Sequence, residues 1–600
     1  MMRRAILYFE KWLIYSVIVG IATALIIVLF YKLILSTTTF FAWIIGTTDN
    51  PLVPCYNDFS LAAINSTNKL LIPVSLLIGT VIGGLIVYYI SPEAEGPGVD
   101  ATIEAFHKMG GIIRSRVPFM KTIASAFAVG SGCSGGLLGP SVQIGAGIGS
   151  LVADTLKAGF HDRRMFLVAG MAGALSAIFR TPIGAAIFAM EVLYQRDFET
   201  RAFLPVIISS LTSYTVSYHL IGFTEYFPRI DVELPVLYNV WSFISIILLS
   251  LFATPIALLF NISFVKSKDF FEELRMRLGM PRILKPILGV SLLAPIGIMF
   301  PEVLGSGRGF LNSLFTEITK NPIIIENMII YLAILTALKI IATCLSIGSG
   351  NSGGVFAPGL YIGALTGLVY AYTIATKISA LHPIIYAYIS MAIVFGAISK
   401  TPLATSIMIG EMTNNYHLIV PSLLASTLAR ELTGTITIYR SQKVSIIKHS
   451  LQVLETVLSK VKSKGINTQD IKAKDIAIKS IRPLNAKKRL SDIIEYFNLN
   501  VYGIIPIVND KGFIVGVIDA TQYYKLIELP PHLTLESVDL EKPVIVSEDD
   551  SIDDIVDLMV RYNRDYVLVT SHNNIYKGVI TIDIILSTLL KIVYEKETKR

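Results

Sequence analysis

Residues 130–149 read GSGCSGGLLGPSVQIGAGIG, and residues 348–367 read GSGNSGGVFAPGLYIGALTG, so one glycine-rich stretch occurs twice without a gap, 218 residues apart. Similar segments follow both copies downstream, which extends the match beyond the glycines themselves. A recurrence of this length predicts a chain that contains two repeats of about 220 residues, roughly residues 20–240 and 240–440.

This stretch carries no charged side chain and no histidine in either copy, so it offers a ligand only glycine, hydroxyl groups and main-chain N–H groups. Glycine lets a backbone turn sharply and approach a ligand closely. A glycine-rich loop that opens into a helix aims free N–H groups and the positive helix end at one point, which suits an anion. Small residues also favour close packing of membrane helices. The duplication, the proline in each copy and the apolar flanks favour an anion site.

The composition indicates a membrane protein. Hydrophobic residues make up 53% of the 600 residues and charged residues 16%, whereas soluble domains contain about 25% charged residues. The net charge of +7 accompanies basic clusters at His107–Lys121, His161–Arg164 and Lys266–Lys285, which are typical of cytoplasmic loops, so no nucleic-acid partner is expected. The three cysteines form no disulfide framework, and no metal-ligand spacing appears.

The apolar run at residues 12–36 predicts a transmembrane helix with a cytoplasmic N-terminus, because it is too long for a signal peptide. A polar loop is expected at 37–69 and a second span at 70–91. Further apolar segments, several of them short or interrupted by Gly and Pro, lie at about 122–156, 165–195, 202–222, 238–264, 283–300, 327–346, 355–378, 383–411 and 417–437. Broken helices at matching positions of two repeats are typical of a transport site near the middle of the membrane.

The character of the chain changes after the last apolar segment. Residues 441–470 are polar and rich in lysine, which predicts a linker with some helix, and the remainder contains a second internal repeat. RLSDIIEYF (489–497) aligns with SIDDIVDLM (551–559), and each copy continues with strand-like segments around a turn. The pattern predicts helix, hairpin and helix in each copy, residues 471–530 and 531–600, packed as one soluble α/β module.

The motifs GPGVD (96–100), GSGCSGGLLGP (130–140), GSGNSGGVFAP (348–358) and Tyr439 in TITIYRS resemble those of the CLC family of chloride channels and chloride/proton exchangers. The resemblance covers nearly the whole chain, because the C-terminal module is similar to the paired cystathionine-β-synthase-type (CBS) domains of many CLC proteins. It implies an all-α polytopic membrane domain of inverted repeats over residues 1–440. It also implies a homodimer with one pore per subunit in the plasma membrane, with a cytoplasmic α/β CBS pair.

The resemblance further implies which residues hold the anion, which is expected to be chloride or a similar small monovalent ion. In the family pattern Val355 and Phe356 offer main-chain N–H groups and Tyr439 offers its hydroxyl. For Tyr439 considered alone, an interfacial aromatic residue is the alternative. The full set of anion-binding candidates is Pro97, Gly98, Leu138, Gly139, Val355, Phe356 and Tyr439.

Two departures from the family pattern concern protons. The gating glutamate of the family is replaced by Leu138, and no acidic residue occurs between Glu104 and Asp154. A leucine can neither compete with chloride nor carry a proton. The internal proton-transferring glutamate of the exchangers is replaced by Val192, which follows Glu191. We interpret Glu191 as a structural acid at a helix end, with a displaced proton relay as the alternative.

A third departure is Pro97, which stands where the family has a serine and is similar to the residue of members that prefer nitrate. The sequence therefore predicts passive, uncoupled transport of chloride or a similar anion. The alternatives are a chloride/proton exchanger with a displaced proton path, a nitrate-preferring transporter, and a membrane scaffold that senses nucleotides. An enzyme is not expected, because no nucleophile with a paired base, phosphate loop with lysine or metal cluster appears.

CBS pairs often bind adenine nucleotides, but the ribose-binding pattern is imperfect here. The first copy has Asp519 and then Gln522 at the expected aspartate position, and the second has Thr581 and Asp583 with the aspartate one residue early. Asp519, Thr581 and Asp583 are the nucleotide-binding candidates. Dimer contacts or gating control without a ligand are the favoured alternative, and no other cofactor and no metal are expected.

Overall fold

The structure is a computed structural model that divides the chain into two compact units, Met1–Lys443 and Val444–Arg600, which are described separately. The residues that it describes are 2–46, 68–222, 226–230, 234–320, 328–463, 466–493, 504–518, 522, 526, 529–562 and 564–598.

The first unit is all-α, as predicted. Its main helices in chain order are α1 (Met2–Ile45), α2 (Ile72–Leu85), α3 (Val99–Lys108), α4 (Val117–Gly130), α5 (Leu138–Thr155), α6 (Phe160–Phe179), α7 (Pro182–Glu191), α8 (Phe203–Ile221), α9 (Val240–Leu278), α10 (Leu284–Met299), α11 (Arg308–Lys320), α12 (Ile329–Ser346), α13 (Phe356–Thr373), α14 (Pro383–Ser399), α15 (Pro402–Met412) and α16 (Ile419–Leu432). The described segments that are long and apolar enough to cross a membrane are Phe9–Ile45, Lys69–Ile90, Val240–Leu278, Ile329–Ser346 and Phe356–Lys377.

Two predicted apolar segments, 165–195 and 383–411, are each a pair of helices, and they break at equivalent places in the two repeats. Helices α6 and α14 end at Arg180 and Lys400, which adopt left-handed backbone conformations with φ of 60° and 61°. Helices α7 and α15 then begin at Pro182 and Pro402. Proline suits the first turn of a helix but disfavours helical backbone in the residue before it, so a Thr-Pro pair ends one helix and begins the next.

The second half of each glycine stretch serves helix packing. A Cβ built on Gly145 of α5 would lie 2.2 Å from the carbonyl oxygen of Gly170 in α6, and one built on Gly363 of α13 would lie 2.7 Å from that of Ser390 in α14. Only glycine permits so close an approach of two helix backbones. Close helix packing, one of the two interpretations of the stretch, therefore applies to its helical half.

The predicted polar loop at 37–69 was wrong in its first part, because α1 continues to Ile45. The threonines there bond back to the helix: the Thr38 hydroxyl donates to the Ile34 carbonyl at 2.7 Å and that of Thr39 to the Leu35 carbonyl at 2.9 Å. Threonine hydroxyls that are satisfied within their own helix do not end it. Residues 47–67 of the predicted loop lie outside the described residues.

The predicted basic loops were also wrong in part. Helix α9 runs through the Lys266–Lys285 cluster to Leu278, where Arg275 and Arg277 pair with glutamates one turn earlier in the same helix. Lys121, at the end of the first basic cluster, belongs to α4 and is fully buried. A count of positive charges cannot distinguish a lysine in a solvated loop from one inside the protein.

The second unit contains two three-stranded sheets of the same topology. The first is β1 (Leu484–Asn485), β2 (Ile505–Val508) and β3 (Ile514–Ile518), and the second is β4 (Ile545–Ser547), β5 (Tyr566–Thr570) and β6 (Tyr576–Thr581). In each sheet the first strand is parallel to the second, which is antiparallel to the third, so both predicted hairpins are present. The second sheet is accompanied by α18 (Ile552–Tyr562) and α19 (Ile582–Thr598).

The segment expected to be a linker contributes to this unit. It forms α17 (Ile446–Ser463), in which the buried residues Leu451, Leu454, Leu458 and Val461 join a core that includes Ile555 and Ile585. The two halves of the unit also contact each other through isolated antiparallel bridges, in which Ile478 pairs with Val579 and Val517 pairs with Glu541. The first helix predicted in residues 471–530, at residues 489–497, is described only as far as residue 493.

Candidate anion site

The two glycine stretches meet at Gly136 and Gly354. Each main-chain N–H donates to the carbonyl oxygen of the other residue, and both distances are 2.7 Å. Nearby, Ser134 contacts Thr343 at 3.1 Å and Ser125 contacts Ser352 at 2.8 Å, which are again equivalent positions exchanged between repeats. Reciprocal contacts of this kind define a pseudo-two-fold axis between the repeats.

A third loop approaches this centre. A Cβ built on Gly139 would lie 2.0 Å from the carbonyl oxygen of Pro97, and one built on Gly98 would lie 2.8 Å from that of Gly139. A Cβ on Gly354 would lie 2.7 Å from the nitrogen of Gly139. The structure thus brings the loop of Pro97 and Gly98 against both glycine stretches, at approaches that no side chain would allow.

Helices begin at this junction, so their first N–H groups have no partner in the helix. Helix α5 begins at Leu138, α13 at Phe356 and α3 at Val99, just after Gly98. The candidate N–H groups that donate to no acceptor among the described residues are those of Gly98, Leu138, Gly139, Val355 and Phe356. These uncharged donors, together with the positive ends of the helices, form an arrangement that stabilises an anion.

The Tyr439 ring is buried, and its hydroxyl has no hydrogen-bond partner among the described residues. The backbone is held beside α14, because the Ile438 N–H donates to the Ile398 carbonyl at 2.9 Å. The same helix carries Phe395, whose ring packs on Phe356 at 4.6 Å between centroids. A buried hydroxyl without a partner is costly unless it donates a hydrogen bond, and an anion would accept such a bond.

Leu138 lies at the first position of α5 with 1% of its surface exposed, so an apolar side chain adjoins the free N–H groups. Val192 is fully buried at the end of α7 and its N–H donates to the Phe188 carbonyl at 3.0 Å. Neither position carries a group that can bind a proton. Apart from the Tyr439 hydroxyl, an anion at this site would therefore meet main-chain donors and hydrocarbon.

The carboxylate of Glu191 accepts the N–H groups of Leu403 at 3.3 Å and Ala404 at 2.7 Å, at the start of α15. Glu411, its equivalent in the second repeat, likewise accepts N–H groups at the start of α7. A carboxylate that accepts N–H groups at a helix N-terminus stabilises that helix. The geometry thus gives Glu191 a structural role.

The sequence motifs did not indicate two buried lysines and the loops that these lysines contact. Lys121 donates to the carbonyls of Ala94 and Gly96, and Lys339 donates to those of Val303 and Gly305. A signal was present: PEAEGPG at residue 92 is similar to PEVLGSG at residue 301, and the two lysines are separated by the same 218 residues as the glycine stretches.

In the second unit, Asp519 lies outside the described residues. The Gln522 amide donates to the Asp539 carbonyl at 3.0 Å and accepts the Glu541 N–H at 3.1 Å, so it holds the neighbouring backbone. Thr581 is half-buried at the end of β6, and Asp583 is exposed in the first turn of α19.

Comparison with known proteins identifies the family. Residues 78–434, more than half of the chain, match the family described as voltage gated chloride channel, and residues 535–591 match the CBS domain. The H(+)/Cl(-) exchange transporter ClcA of Vibrio campbellii is 30% identical over 368 residues, which are 60% of this chain and 76% of that protein.

Two solved structures are similar in fold. The match to a slow cyanobacterial Cl-/H+ antiporter includes 72% of this chain and 96% of the antiporter chain, with a TM-score of 0.58 at 20% identity. The match to a eukaryotic CLC transporter includes 96% of this chain and 98% of the transporter chain, with a TM-score of 0.55 at 18% identity. The chain therefore belongs to the CLC family of membrane anion transporters and carries a CBS module after its transport domain.

Proposed function

We propose that the protein conducts chloride or a similar monovalent anion down its gradient without a fixed exchange of protons. The observation that supports this most strongly is Leu138 at the first position of α5, beside the free N–H groups. The sequence offers no acidic residue between Glu104 and Asp154 that could replace a carboxylate there. Coupling needs a group that takes up a proton and competes with the anion, and leucine does neither.

A chloride/proton exchanger is the main alternative, because ClcA of Vibrio campbellii is named an H(+)/Cl(-) exchange transporter. In this chain Glu191 precedes Val192, which stands at the position of the exchangers' internal glutamate, and both of its oxygens accept main-chain N–H groups. A relay through Glu191 would require the carboxylate to leave that cap. We therefore favour uncoupled transport.

Flux in liposomes tests this proposal. Purified protein would be reconstituted with an outward chloride gradient, and chloride efflux and external pH would be recorded together with and without a proton ionophore. We expect chloride efflux that is limited only by charge compensation, with no proton uptake linked to it. Proton movement in constant proportion to chloride, driven uphill by the chloride gradient, would contradict uncoupled transport.

The preferred anion is a separate question, to which Pro97 is relevant. The Pro97 carbonyl packs on Gly139, and proline has neither a hydroxyl nor an N–H to offer the anion. Nitrate, which is larger and more weakly hydrated than chloride, would lose less from the missing donor. Competition between chloride and nitrate in the same liposomes, with the wild type and Pro97→Ser, would show whether proline shifts the preference toward nitrate.

We also propose a homodimer in the plasma membrane with the N-terminus and the CBS pair in the cytoplasm, where the pair controls gating. An adenine nucleotide at Thr581 and Asp583 is the candidate ligand of this pair. Calorimetric titration of the full-length protein with ATP tests it. Absence of anion flux together with tight nucleotide binding would favour a nucleotide-sensing scaffold instead.

A further inference from the structure

Asp100 connects two of the segments that carry candidate anion-binding residues. It lies in the first turn of α3, two residues after Gly98. Its carboxylate oxygen Oδ1 accepts the N–H of Ser441 at 2.8 Å, and Ser441 follows Tyr439 by two residues. A charge-assisted hydrogen bond therefore joins the loop of Gly98 to the segment of Tyr439.

The start of α3 gives this carboxylate a fixed position. The hydroxyl and the N–H of Thr102 both donate to the Gly98 carbonyl, at 3.0 and 3.1 Å. A Cβ built on Gly98 would lie 2.8 Å from the carbonyl oxygen of Gly139, so the loop packs closely on the first glycine stretch. At the other end of α3, Nε2 of the buried His107 lies 2.9 Å from the Leu193 carbonyl oxygen. The helix is thus held at both ends.

The residues on both sides of Ser441 hold the same segment against other elements. The Arg440 guanidinium donates to the carboxylate of Asp269 in α9 at 2.6 Å. The amide of the buried Gln442 donates to main-chain carbonyls at the ends of α7 and α14, at 2.9 and 3.0 Å. The chain after the tyrosine is therefore fixed at three consecutive residues, and of these three contacts that of Ser441 leads to the loop of the candidate site.

The charge of Asp100 and its hydrogen bond have opposite effects on an anion nearby. A carboxylate repels an anion, and a negative charge in the first turn of α3 offsets the positive end of that helix. The bond to Ser441 acts the other way, because a Tyr439 hydroxyl that is already held in place loses less freedom when it binds an anion. Removal of the charge and removal of the bond should therefore shift anion binding in opposite directions.

We propose that Asp100 is a positioning residue for Tyr439. Its carboxylate fixes the segment after Tyr439 to the start of α3 and thereby holds the Tyr439 hydroxyl in place for the anion. The inference rests on the proposed anion transport, with Tyr439 as one of the donors to the anion, and is independent of proton coupling. It does not require that Asp100 contact the anion.

The test uses the full-length protein in liposomes and measures initial anion flux against chloride concentration. Asp100→Ala removes both the charge and the acceptor, whereas Asp100→Asn removes the charge and keeps an acceptor oxygen. Both substitutions are also made in Tyr439→Phe protein. Glu411→Ala is the matched control, because its carboxylate also accepts main-chain N–H groups inside the transport domain, but at the start of α7. Asp100→Val, which is similar in size and has no acceptor, replaces Asp100→Ala if that variant does not fold.

We expect Asp100→Ala to raise the half-saturating chloride concentration by about threefold to tenfold, as the loss of the Tyr439 hydrogen bond itself would. Asp100→Asn should leave this value unchanged or lower it, and Glu411→Ala should keep the wild-type value. In Tyr439→Phe protein, Asp100→Ala should cause no further increase, because both changes remove the same interaction with the anion.

A half-saturating concentration at or below the wild-type value in folded Asp100→Ala would overturn the proposal, since charge would then be the only contribution of Asp100. An equal increase in Asp100→Asn would overturn it as well, because the acceptor would not matter. The same holds for an equal increase in Tyr439→Phe protein, which would show that Asp100 acts independently of Tyr439. Absence of flux in the wild-type protein, by contrast, would overturn the proposed function together with this inference.

Discussion

Glu191 and Glu411 cap each other's helices across the two repeats. Glu191 ends α7 and accepts the Ala404 N–H at 2.7 Å at the start of α15, while Glu411 lies near the end of α15 and accepts the Gly184 N–H at 2.8 Å at the start of α7. A carboxylate near the C-terminus of its own helix is unfavourable, but the N-terminus of the other helix offsets this. The exchange fastens the repeats to each other.

We therefore expect Glu191→Ala and Glu411→Ala to destabilise the transport domain by about 1–2 kcal/mol each, as the loss of a helix cap does. Thermal unfolding in detergent measures this, and anion flux per folded protein should stay near wild type. Glu191→Gln, which preserves the size, should recover part of the loss. If Glu191→Ala kept its stability but changed proton movement, Glu191 would belong to a proton path instead.

Leu138→Glu should make anion flux depend on pH. An ionised glutamate at the start of α5 would compete with the anion for the free N–H groups, whereas a protonated one would not. Since a carboxyl group is ionised above its pKa, flux should fall as pH rises and recover on acidification. Leu138→Gln has the same shape without ionisation and should show no such dependence. Equal pH profiles of the two variants would remove Leu138 from the anion path.

Gly139→Ala should abolish transport, because its Cβ would lie 2.0 Å from the Pro97 carbonyl oxygen. Displacing the loop would cost about 1–3 kcal/mol, which is typical of overpacking. Gly159→Ala is the matched control, since nothing lies within 4 Å of a Cβ at that position. Flux and melting temperature of both variants measure the difference. Normal flux through Gly139→Ala would show that the close contact of the two loops is not required.

The loops of the candidate anion site could be located from the sequence because their signals are local. Glycine, proline and the absence of charge in the two stretches identify the loops and the helix starts without knowledge of the fold. The exchange between Glu191 and Glu411 could not be predicted this way, because their helices meet only through the pseudo-two-fold relationship. The repeat identifies Glu191 and Glu411 as equivalent residues, but it does not show that each one caps the other's helix.

Lys121 shows a different limit of the sequence. It lies in a run of basic residues that is typical of a cytoplasmic loop, and only its distance from Lys339, equal to that of the glycine stretches, marks it as internal. The continuation of α1 past residue 36 could not be predicted either, because the residues there are polar. Consecutive threonines predict a polar loop, whereas the structure shows that their hydroxyls donate to carbonyls of the same helix.

The pH dependence of the second unit should involve Asp554 in the first turn of α18. The Ser551 hydroxyl and N–H donate to its carboxylate at 2.6 and 3.1 Å, and these bonds hold the pKa of Asp554 below its usual value. A lowered folded-state pKa stabilises above the unfolded pKa, and the contribution disappears as pH falls through the folded pKa. The Asp554→Ala variant should lose about 0.5–1 kcal/mol at neutral pH.

Hydrogen exchange of the α18 amides in the full-length protein, at pH 7 and near pH 3, measures this difference. The difference in hydrogen-exchange protection between wild type and Asp554→Ala should be smaller at the lower pH. The Asp557→Ala substitution, which is in the same helix but makes none of these hydrogen bonds, serves as the control. An equally large difference in protection at both pH values would show that the ionised Asp554 carboxylate does not stabilise the start of α18.

Tyr439→Phe separates a structural tyrosine from one that contacts the anion. The Tyr439 hydroxyl is buried without a partner among the described residues, so its removal deletes an unsatisfied polar atom and should leave stability unchanged or slightly higher. If the hydroxyl donates to the passing anion, the same change should weaken chloride binding by about threefold to tenfold. Calorimetric chloride titration and thermal unfolding of the same preparation give both values. A stability loss with unchanged chloride affinity would assign the hydroxyl to the protein interior rather than to the anion.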